Sequence, residues 1–527
     1  MESATYLQST EKNEEKQETE LTKSMKRQFP LFGLGSLLYS LFYAFCLYEN
    51  TSGITYPFFV IGTLCYFFFS MQKLGVPFKK DNVFYIVSIV LLGLSNCMTA
   101  SLPILFMNKC GIFLLTLMLM LHTLYNDKEW NFSKYFCAIF RTLCDVFACL
   151  LRPFGDMISY FDAQKREKPE KTSYFLPILT GVLIAIPLLF FMAVLLGSAD
   201  IIFFLELLET SMDLFDITAI LRFIIFISLV FLFSYALFAG LCKKGIEEKR
   251  EEKTLFDPVV AIVVTSLLSV LYLFFSGFQF FVLFGNMILP DGETYAEYAR
   301  SGFFQLLIAC VINLILILIC LHFFRESRIL QGILTVICGC TFILMLSSLL
   351  RLLMYINAYA LTFLRVLALW SLAVIFLLMI EVTIYIYNRD FQLFSCGVIT
   401  VTICYLILSF SHPDFLVACY DINCDTTLWI GPDHDEYVDD DRLAYLSYLS
   451  ADAAPAILNP SINPRIISVE HVLEKTAVND DGTFIEDYCY DYFWIKCFYE
   501  KMEEDTWALG VRDFNFSLYQ AKQYIKY

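Results

Sequence analysis

The sequence predicts an all-α, polytopic membrane protein: a helical bundle of about eleven spans followed by a small, mainly helical, acidic carboxy-terminal domain. Three observations carry that prediction. First, 58% of the 527 residues are hydrophobic and only 17% are charged, with a mean hydropathy of +0.63; soluble domains run near ~45–50% apolar and ~25% charged. Second, apolar segments of about 18–25 residues, the length that crosses a ~30 Å hydrocarbon core, recur from residue 31 onward. Third, the charge is divided unevenly. Residues 411–527 hold 22 acidic and 8 basic side chains, whereas the rest of the chain is nearly neutral. These features exclude an ordinary soluble enzyme and a disordered chain. The net charge of −16 and pI near 4.8 exclude a nucleic-acid binder, because no basic surface is available for phosphates.

Residues 1–30 are polar and rich in Glu and Lys, the composition of a disordered cytoplasmic tail. A long acidic stretch precedes the first apolar run, so that run reads as a retained span rather than a signal peptide. The bundle is expected over 31–411, with spans at 31–48, 54–71, 82–100, 107–125, 174–196, 217–241, 258–286, 302–322, 329–350, 365–387 and 391–411. The 97–110 region is ambiguous because Asn96, Pro103, Asn108 and Lys109 interrupt it. The long 258–286 run is compatible with a tilted or a re-entrant segment. Residues 130–155 have apolar side chains at helical spacing with Lys134, Arg141 and Arg152 among them. They read either as an interfacial helix or as a helix packed on its own bundle. No internal repeat of the kind common in transporters is visible.

Loop cations set the expected orientation. Lys23, Lys26 and Arg27 precede the first span, Lys73, Lys79 and Lys80 fill the second loop, and further clusters lie at 126–172 and 242–253. The alternate loops are neutral or acidic, as in 197–216 with Asp200, Glu206 and Asp213. This alternation predicts a cell-membrane protein with a cytoplasmic amino terminus and an extracytoplasmic domain at 412–527. Within that domain a helix is expected over 440–458, a second from Asn463-Pro464 to about 475, and a third from Asn515 or Ser517 to the end. Residues 483–500 fit either strand or helix.

No metal, cofactor or catalytic residue is assigned by motif. Cys419, Cys424, Cys489 and Cys497 permit up to two disulfides, but no CxxC pair points to zinc. The cluster Asp433, His434, Asp435, Glu436, Asp439, Asp440 and Asp441 lacks the glycine and distal glutamate of a calcium loop and reads as a solvated loop, with weak cation binding as the alternative. Nothing resembles a P-loop, a nucleophile elbow or a dinucleotide fingerprint in a usable context.

The informative feature is arginine where the bilayer and the positive-inside bias both disfavour it. Arg222, Arg300, Arg351 and Arg365 all map to the outer side on this topology. They share it with Asp291, Glu293, Tyr295, Glu297 and Tyr298, with Gln305 and Asn313 farther along the same span, and with Tyr355. Thr294 is a plausible N-cap and Glu297 completes a capping box; Glu297 and Arg300, three apart, share a helix face. One reading is an outward-facing polar cavity whose arginines hold an anionic lipid headgroup or envelope precursor, or through which a solute moves. The plainer readings are an internal ion-pair network of Arg300 and Arg351 with Glu293 and Glu297, and snorkelling of Arg222 and Arg365. Glu381, deep in the 365–387 span, either titrates in ion coupling or pairs with Arg389, pairing being the preferred expectation.

At these residues the chain resembles a family of bacterial multi-spanning membrane proteins known as a domain of unknown function (the 4153/4173 group). The motifs are Asp-Gly-Glu-Thr-Tyr-Ala-Glu-Tyr-Ala-Arg-Ser-Gly-Phe-Phe-Gln-Leu at 291–306 with Asn313 following, then Arg351, Tyr355, Tyr359, Leu361, Thr362 and Arg365. In the carboxy-terminal region Tyr448-Leu-Ser-Ala-Asp452-Ala-Ala-Pro455-Ala is similar to the family's Ser-Ala-Asp-Ala-x-Pro-Ala element, and Phe514-Asn-Phe-Ser517 matches its terminal Asn-x-Ser signature. The resemblance covers roughly 170–527. Where the family tends to show Asn-Pro-Asp and Arg-Tyr-Asn, this chain has His412-Pro413-Asp414 and Cys419-Tyr420-Asp421. The resemblance implies no activity, cofactor or substrate. The expectation is therefore a non-enzymatic envelope protein that has membrane lipids as partners and binds an anionic lipid or precursor or moves a solute. The alternatives are an outer-leaflet transferase or hydrolase using Glu293, Glu297 or Asp452 as acid or base, and a sensor or scaffold.

Overall fold

The computed structural model describes residues 19–50, 52–127, 130–167, 181, 185, 188, 192, 217–243, 256–284, 295–423, 440–464, 466–475, 490–507 and 509–525. The described chain is helical throughout, with one isolated bridge between Phe256 and Phe324. In order the helices are α1 (Glu20–Arg27), α2 (Phe29–Leu47), α3 (Thr55–Lys73), α4 (Asn82–Met98), α5 (Leu102–Leu124), α6 (Phe132–Ala148), α7 (Arg152–Glu167) and α8 (Ile217–Cys242). They continue as α9 (Pro258–Phe284), α10 (Tyr295–Phe323), α11 (Arg328–Tyr359), α12 (Phe363–Tyr387), α13 (Leu393–Phe410) and α14 (Pro413–Asn423). The last are α15 (Asp440–Ser447), a 3-10 turn (Ala451–Ala453), α16 (Ala454–Ile457), α17 (Val469–Lys475), α18 (Tyr490–Trp507) and α19 (Phe516–Ile525).

Among the described residues eight helices, α2, α5 and α8 through α13, are long and apolar enough to cross a membrane by length and composition. They mark a multi-pass membrane protein. The expected span at 82–100 appears as the shorter apolar α4, and that at 54–71 as the helix α3, which is not among the eight. The expected span at 174–196 lies almost wholly outside the described residues. Of the residues expected in a disordered tail, 20–27 form α1. Thr19 caps it by accepting the Thr22 amide at 3.3 Å, and Met25 is buried.

The chain divides into two compact units. The first comprises Met1–Val90, Leu114–Asp127 and Phe132–Lys249. In it α8 packs against α2 and α6, and Phe32, Phe67, Tyr235 and Phe238 are fully buried. Gly240 makes the α6 contact close: a Cβ there would meet the Asp145 carbonyl carbon at 3.3 Å. α6 realises the helix expected at 130–155. It buries Tyr135, Ala138, Thr142 and Val146 and exposes Phe132, Phe136, Phe140 and Phe147.

The second unit comprises Leu91–Phe113, Lys128–Asn131 and Arg250–Tyr527. α11 is its central post, packing against α9, α10 and α12 around an apolar core that includes Phe303, Cys310, Leu334, Ile337 and Met379. A second core joins α14 through α19, with Ile457, Ile495, Phe498 and Met502 at its centre. Residues 412–525 thus cluster with 250–410 in one unit. The helix expected over 440–458 is broken into α15, the 3-10 turn and α16. The helix expected to open at Asn463-Pro464 begins only at Val469, because Asn463 turns its amide back to the Ile457 carbonyl at 2.8 Å. The undecided 483–500 stretch is helical from Tyr490. Cys419 and Cys497 carry free thiols; Cys424, Cys489 and the acidic cluster at 433–439 lie outside the described residues.

Candidate functional site

α11 places Ser347 and Arg351 one turn apart on one face. Opposite them α9 presents Gln279, which is buried. Gln279 Oε1 accepts the Ser347 hydroxyl at 2.8 Å and Arg351 Nη2 at 3.3 Å. Gly302 on α10 makes room for the guanidinium, since a Cβ there would collide with Arg351 Nη1. Beside this group lies a cavity of about 300 Å³ whose walls include Tyr272, Phe275, Gln279, Gln305, Leu344 and Arg351. A guanidinium offers a fixed positive charge and a fork of donors. Here it stands in a wall that is otherwise aromatic, aliphatic and amide.

The expected cluster is therefore only partly assembled. Arg351 and Gln305 share the cavity. Asn313 lies two turns farther along α10 and donates to Thr341 Oγ1 at 3.0 Å. Arg365 serves a helix end instead: its Nη1 donates to the carbonyls of Tyr359 (2.5 Å) and Ala360, and its guanidinium stacks 4.1 Å over the Tyr355 ring. Ala360, at φ 65°, turns the chain out of α11 and leaves those carbonyls for a cation to satisfy. Arg222 belongs to the first unit, where its Nε reaches back to the Thr218 carbonyl at 3.4 Å. Asp291 and Glu293 lie outside the described residues. Tyr295, Glu297, Tyr298 and Arg300 occupy the first turns of α10, where the backbone alone is described, so the ion-pair network expected of them also lies outside. α10 starts at Tyr295, where the capping pattern puts the helix start. The expected Glu381–Arg389 pair is not formed. Arg389 Nε pairs with Glu326 at 3.1 Å, and Glu381 accepts Thr400 Oγ1 at 2.5 Å.

A second polar cluster surrounds the three-residue break between α4 and α5. Asp452, almost fully buried, accepts Thr99 Oγ1 at 2.5 Å and the Ala100 amide at 2.7 Å on its two oxygens, and His412 Nδ1 lies 3.2 Å from the first of them. Asn515 donates to the Thr99 carbonyl at 2.8 Å and Ser517 to the Met98 carbonyl at 2.6 Å. Asp414 accepts the Ser450 hydroxyl at 2.5 Å. The hydrogen bond to Asp452 holds the His412 imidazolium above the usual histidine range, against its burial, and burial pushes the Asp414 carboxyl up. Next to the break, Asn108 donates to Ser95 and Asn96 and accepts from Tyr405 and Ser409, both at 2.7 Å. Asn96 and Asn108, two of the residues that interrupt 97–110 in the sequence, thus belong with Thr99 and Ala100 to the receiving half of a clasp. Its other half lies 297 to 419 residues away.

A family model described as a domain of unknown function, DUF4153, matches residues 86–459, well over half the chain. The chain belongs to the DUF4153 family. No curated protein and no solved structure matches it. The DUF4153 match begins inside α4 and ends just after α16, earlier at both ends than the expected 170–527. It takes in the Arg351 cavity and the Asp452 clasp, and leaves the Asn515–Ser517 signature beyond it. At both departures noted in the DUF4153 motifs this chain makes a hydrogen bond. His412 supplies a ring nitrogen to Asp452, and Asp421 Oδ1 accepts the Leu361 amide at 2.7 Å.

Proposed function

We propose that this DUF4153 protein is a non-enzymatic membrane protein that uses the Arg351 cavity to hold the anionic group of a membrane lipid or envelope precursor. The observation that carries the reading is Arg351, 8% exposed, at the wall of a roughly 300 Å³ space among membrane-spanning helices. A cation in a span costs ~2.5–3.5 kcal/mol even on the lenient scale, a cost a bound anion offsets. The volume is at the lower end for a small-molecule pocket, which fits a headgroup or part of a chain rather than a whole lipid. The loop cations support an orientation with the amino terminus in the cytoplasm and residues 412–527 outside it.

The test is lipid content. Wild-type protein purified in mild detergent and re-equilibrated with phosphatidylglycerol should retain it by native mass spectrometry. Arg351→Gln should lose about tenfold in occupancy, the effect of ~1.4 kcal/mol. Arg351→Lys should fall between, since a point charge replaces a fork. Full retention by a folded Arg351→Gln variant overturns the proposal. For orientation, an alkaline phosphatase fusion after Tyr527 should be active; an inactive fusion beside an active cytoplasmic reporter at the same place overturns it.

A further inference from the structure

We propose that Glu381 is a proton-binding carboxyl within the membrane-spanning bundle, reached from the lipid between α12 and α13. Glu381 lies six residues inside the carboxy-terminal end of α12, about 9 Å along the helix. Its Oε1 accepts the Thr400 hydroxyl of α13 at 2.5 Å. Its Oε2 is buried and has no hydrogen-bond partner among the described residues. Gly397 of α13 stands across from it; a Cβ there would meet Oε2 at 3.5 Å, an ordinary van der Waals contact, so the two helices run close at the carboxyl.

Among the described residues no cation is at hand to hold an ionised Glu381. Arg389, eight residues on, is engaged by Glu326 and by the Leu321 carbonyl. The titratable groups facing Glu381 are the thiols of Cys396 and Cys404 on α13. α10 and α11, which also pack on α12, direct no charged side chain at it among the described residues. A carboxylate with one oxygen desolvated and unpartnered is strongly disfavoured against the neutral acid, which carries the proton on that oxygen while the other keeps its bond from Thr400. Around it Leu377, Ile380 and Ile384 on α12 and Ile399 and Ile403 on α13 are exposed apolar side chains, the surface that a membrane helix shows to lipid. The residue is thus an acid in an apolar rim, outside the Arg351 cavity, and its ligand is a proton.

A lipophilic carbodiimide reads this state directly. The acid's proton moves to one carbodiimide nitrogen, its oxygen adds to the central carbon, and acyl migration to nitrogen leaves a stable N-acylurea carrying the whole reagent. The experiment treats the full chain in its own membranes with N,N′-dicyclohexylcarbodiimide and locates the adduct by peptide mass spectrometry. We expect an adduct at Glu381 that Glu381→Gln abolishes, and that falls about tenfold per pH unit once the acid titrates. Thr400→Val, which removes a donor that favours the ionised form, should extend labelling to higher pH. Absence of an adduct at Glu381 in folded protein overturns the proposal. So does suppression of labelling by sodium at constant pH, which would make the site a cation site. A labelling profile indifferent to pH likewise overturns it.

Discussion

Two regions of the second unit each bury a formally charged side chain, and they do so in opposite ways. Asp452 is 4% exposed and both of its oxygens are taken by hydrogen bonds from Thr99, Ala100 and His412. Arg351 is 8% exposed, shares Gln279 with Ser347, and stands beside about 300 Å³ of space. The first is closed around its own partners, as a group that fixes geometry is. The second leaves volume next to a donor fork, as a group that meets a ligand does. A buried charge in a membrane protein is therefore not by itself a site; what separates the two cases is whether space lies beside it.

The largest effect expected is at the closed region. Asp452→Ala removes the acceptor of three hydrogen bonds and leaves the Thr99 hydroxyl and the Ala100 amide buried without it. Breaking a buried charged network from one side costs roughly 3–5 kcal/mol. The variant should melt well below wild type in detergent, with the amides of 99–101 losing hydrogen-exchange protection first. Asp452→Asn, which keeps one acceptor oxygen, should cost less. Unchanged melting in Asp452→Ala would remove the contrast, because the clasp would then carry no stability.

At the open region the sharpest probe is Gly302→Ala. The added methyl occupies the position of the Arg351 guanidinium without removing any charge. Phosphatidylglycerol occupancy should fall about tenfold, the same loss expected for Arg351→Gln and the equivalent of ~1.4 kcal/mol in binding. A variant that keeps its lipid would show that the guanidinium need not occupy this place for binding.

The two regions were unequally legible in the sequence, for a physical reason. Spans such as 217–241 and 365–387 could be read because a run of apolar residues long enough for a bilayer has few soluble alternatives. Arg351 and Gln305 could be named because charge and amide are conspicuous in such runs. Their separation from Arg365, with which they were grouped, could not, because α11 ends at Tyr359 and Ala360 turns the chain, so residues fourteen apart acquire different neighbours. The clasp was hidden more deeply. Asn96 and Asn108 looked like interruptions of a span, and Asp452 looked like a motif acid of a separate domain, a candidate acid or base. Periodicity reports one helix at a time, and these residues make sense only as partners across the unit. The break in 440–458 followed from the same clasp, since Asp414 and Asp452 bond at Ser450 and Thr99 around the chain reversal.

A smaller effect comes from pH at the clasp. His412 is held above its ordinary range by Asp452, and Asp414 above its own by burial. For both groups folding favours the protonated form, so their contribution is complete below the unfolded value and is lost as pH rises through the folded one. The protection factors of the amides at 98–101, with the intrinsic base-catalysed rise in exchange divided out, should therefore fall from mildly acid pH to above the raised histidine value. His412→Asn keeps a donor for Asp452 and removes one titration, so the profile should flatten at its upper end. If the histidine variant and wild type give superimposable profiles, His412 does not set the pH response of the clasp.

The smallest effect expected tests the reassignment of Arg365 from binding group to helix end. Its guanidinium lies over Tyr355 and its Nη1 reaches the Tyr359 and Ala360 carbonyls, so the ring's role is to aim a capping cation. Stacking of this kind is worth ~0.5–1 kcal/mol at an exposed position. Tyr355→Leu should lower stability by about that amount, since leucine retains apolar packing but no ring face. Lipid occupancy at the cavity should stay at the wild-type level, because neither Tyr355 nor Arg365 lines it. The double variant Tyr355→Leu with Arg365→Gln should lose less than the sum of the single losses, as expected for groups in direct contact. Additive losses would mean that ring and cation act separately. Loss of lipid in Tyr355→Leu would instead join Arg365 to the cavity, and the line drawn between charges that hold the fold and the charge that meets a ligand would have to move past α11.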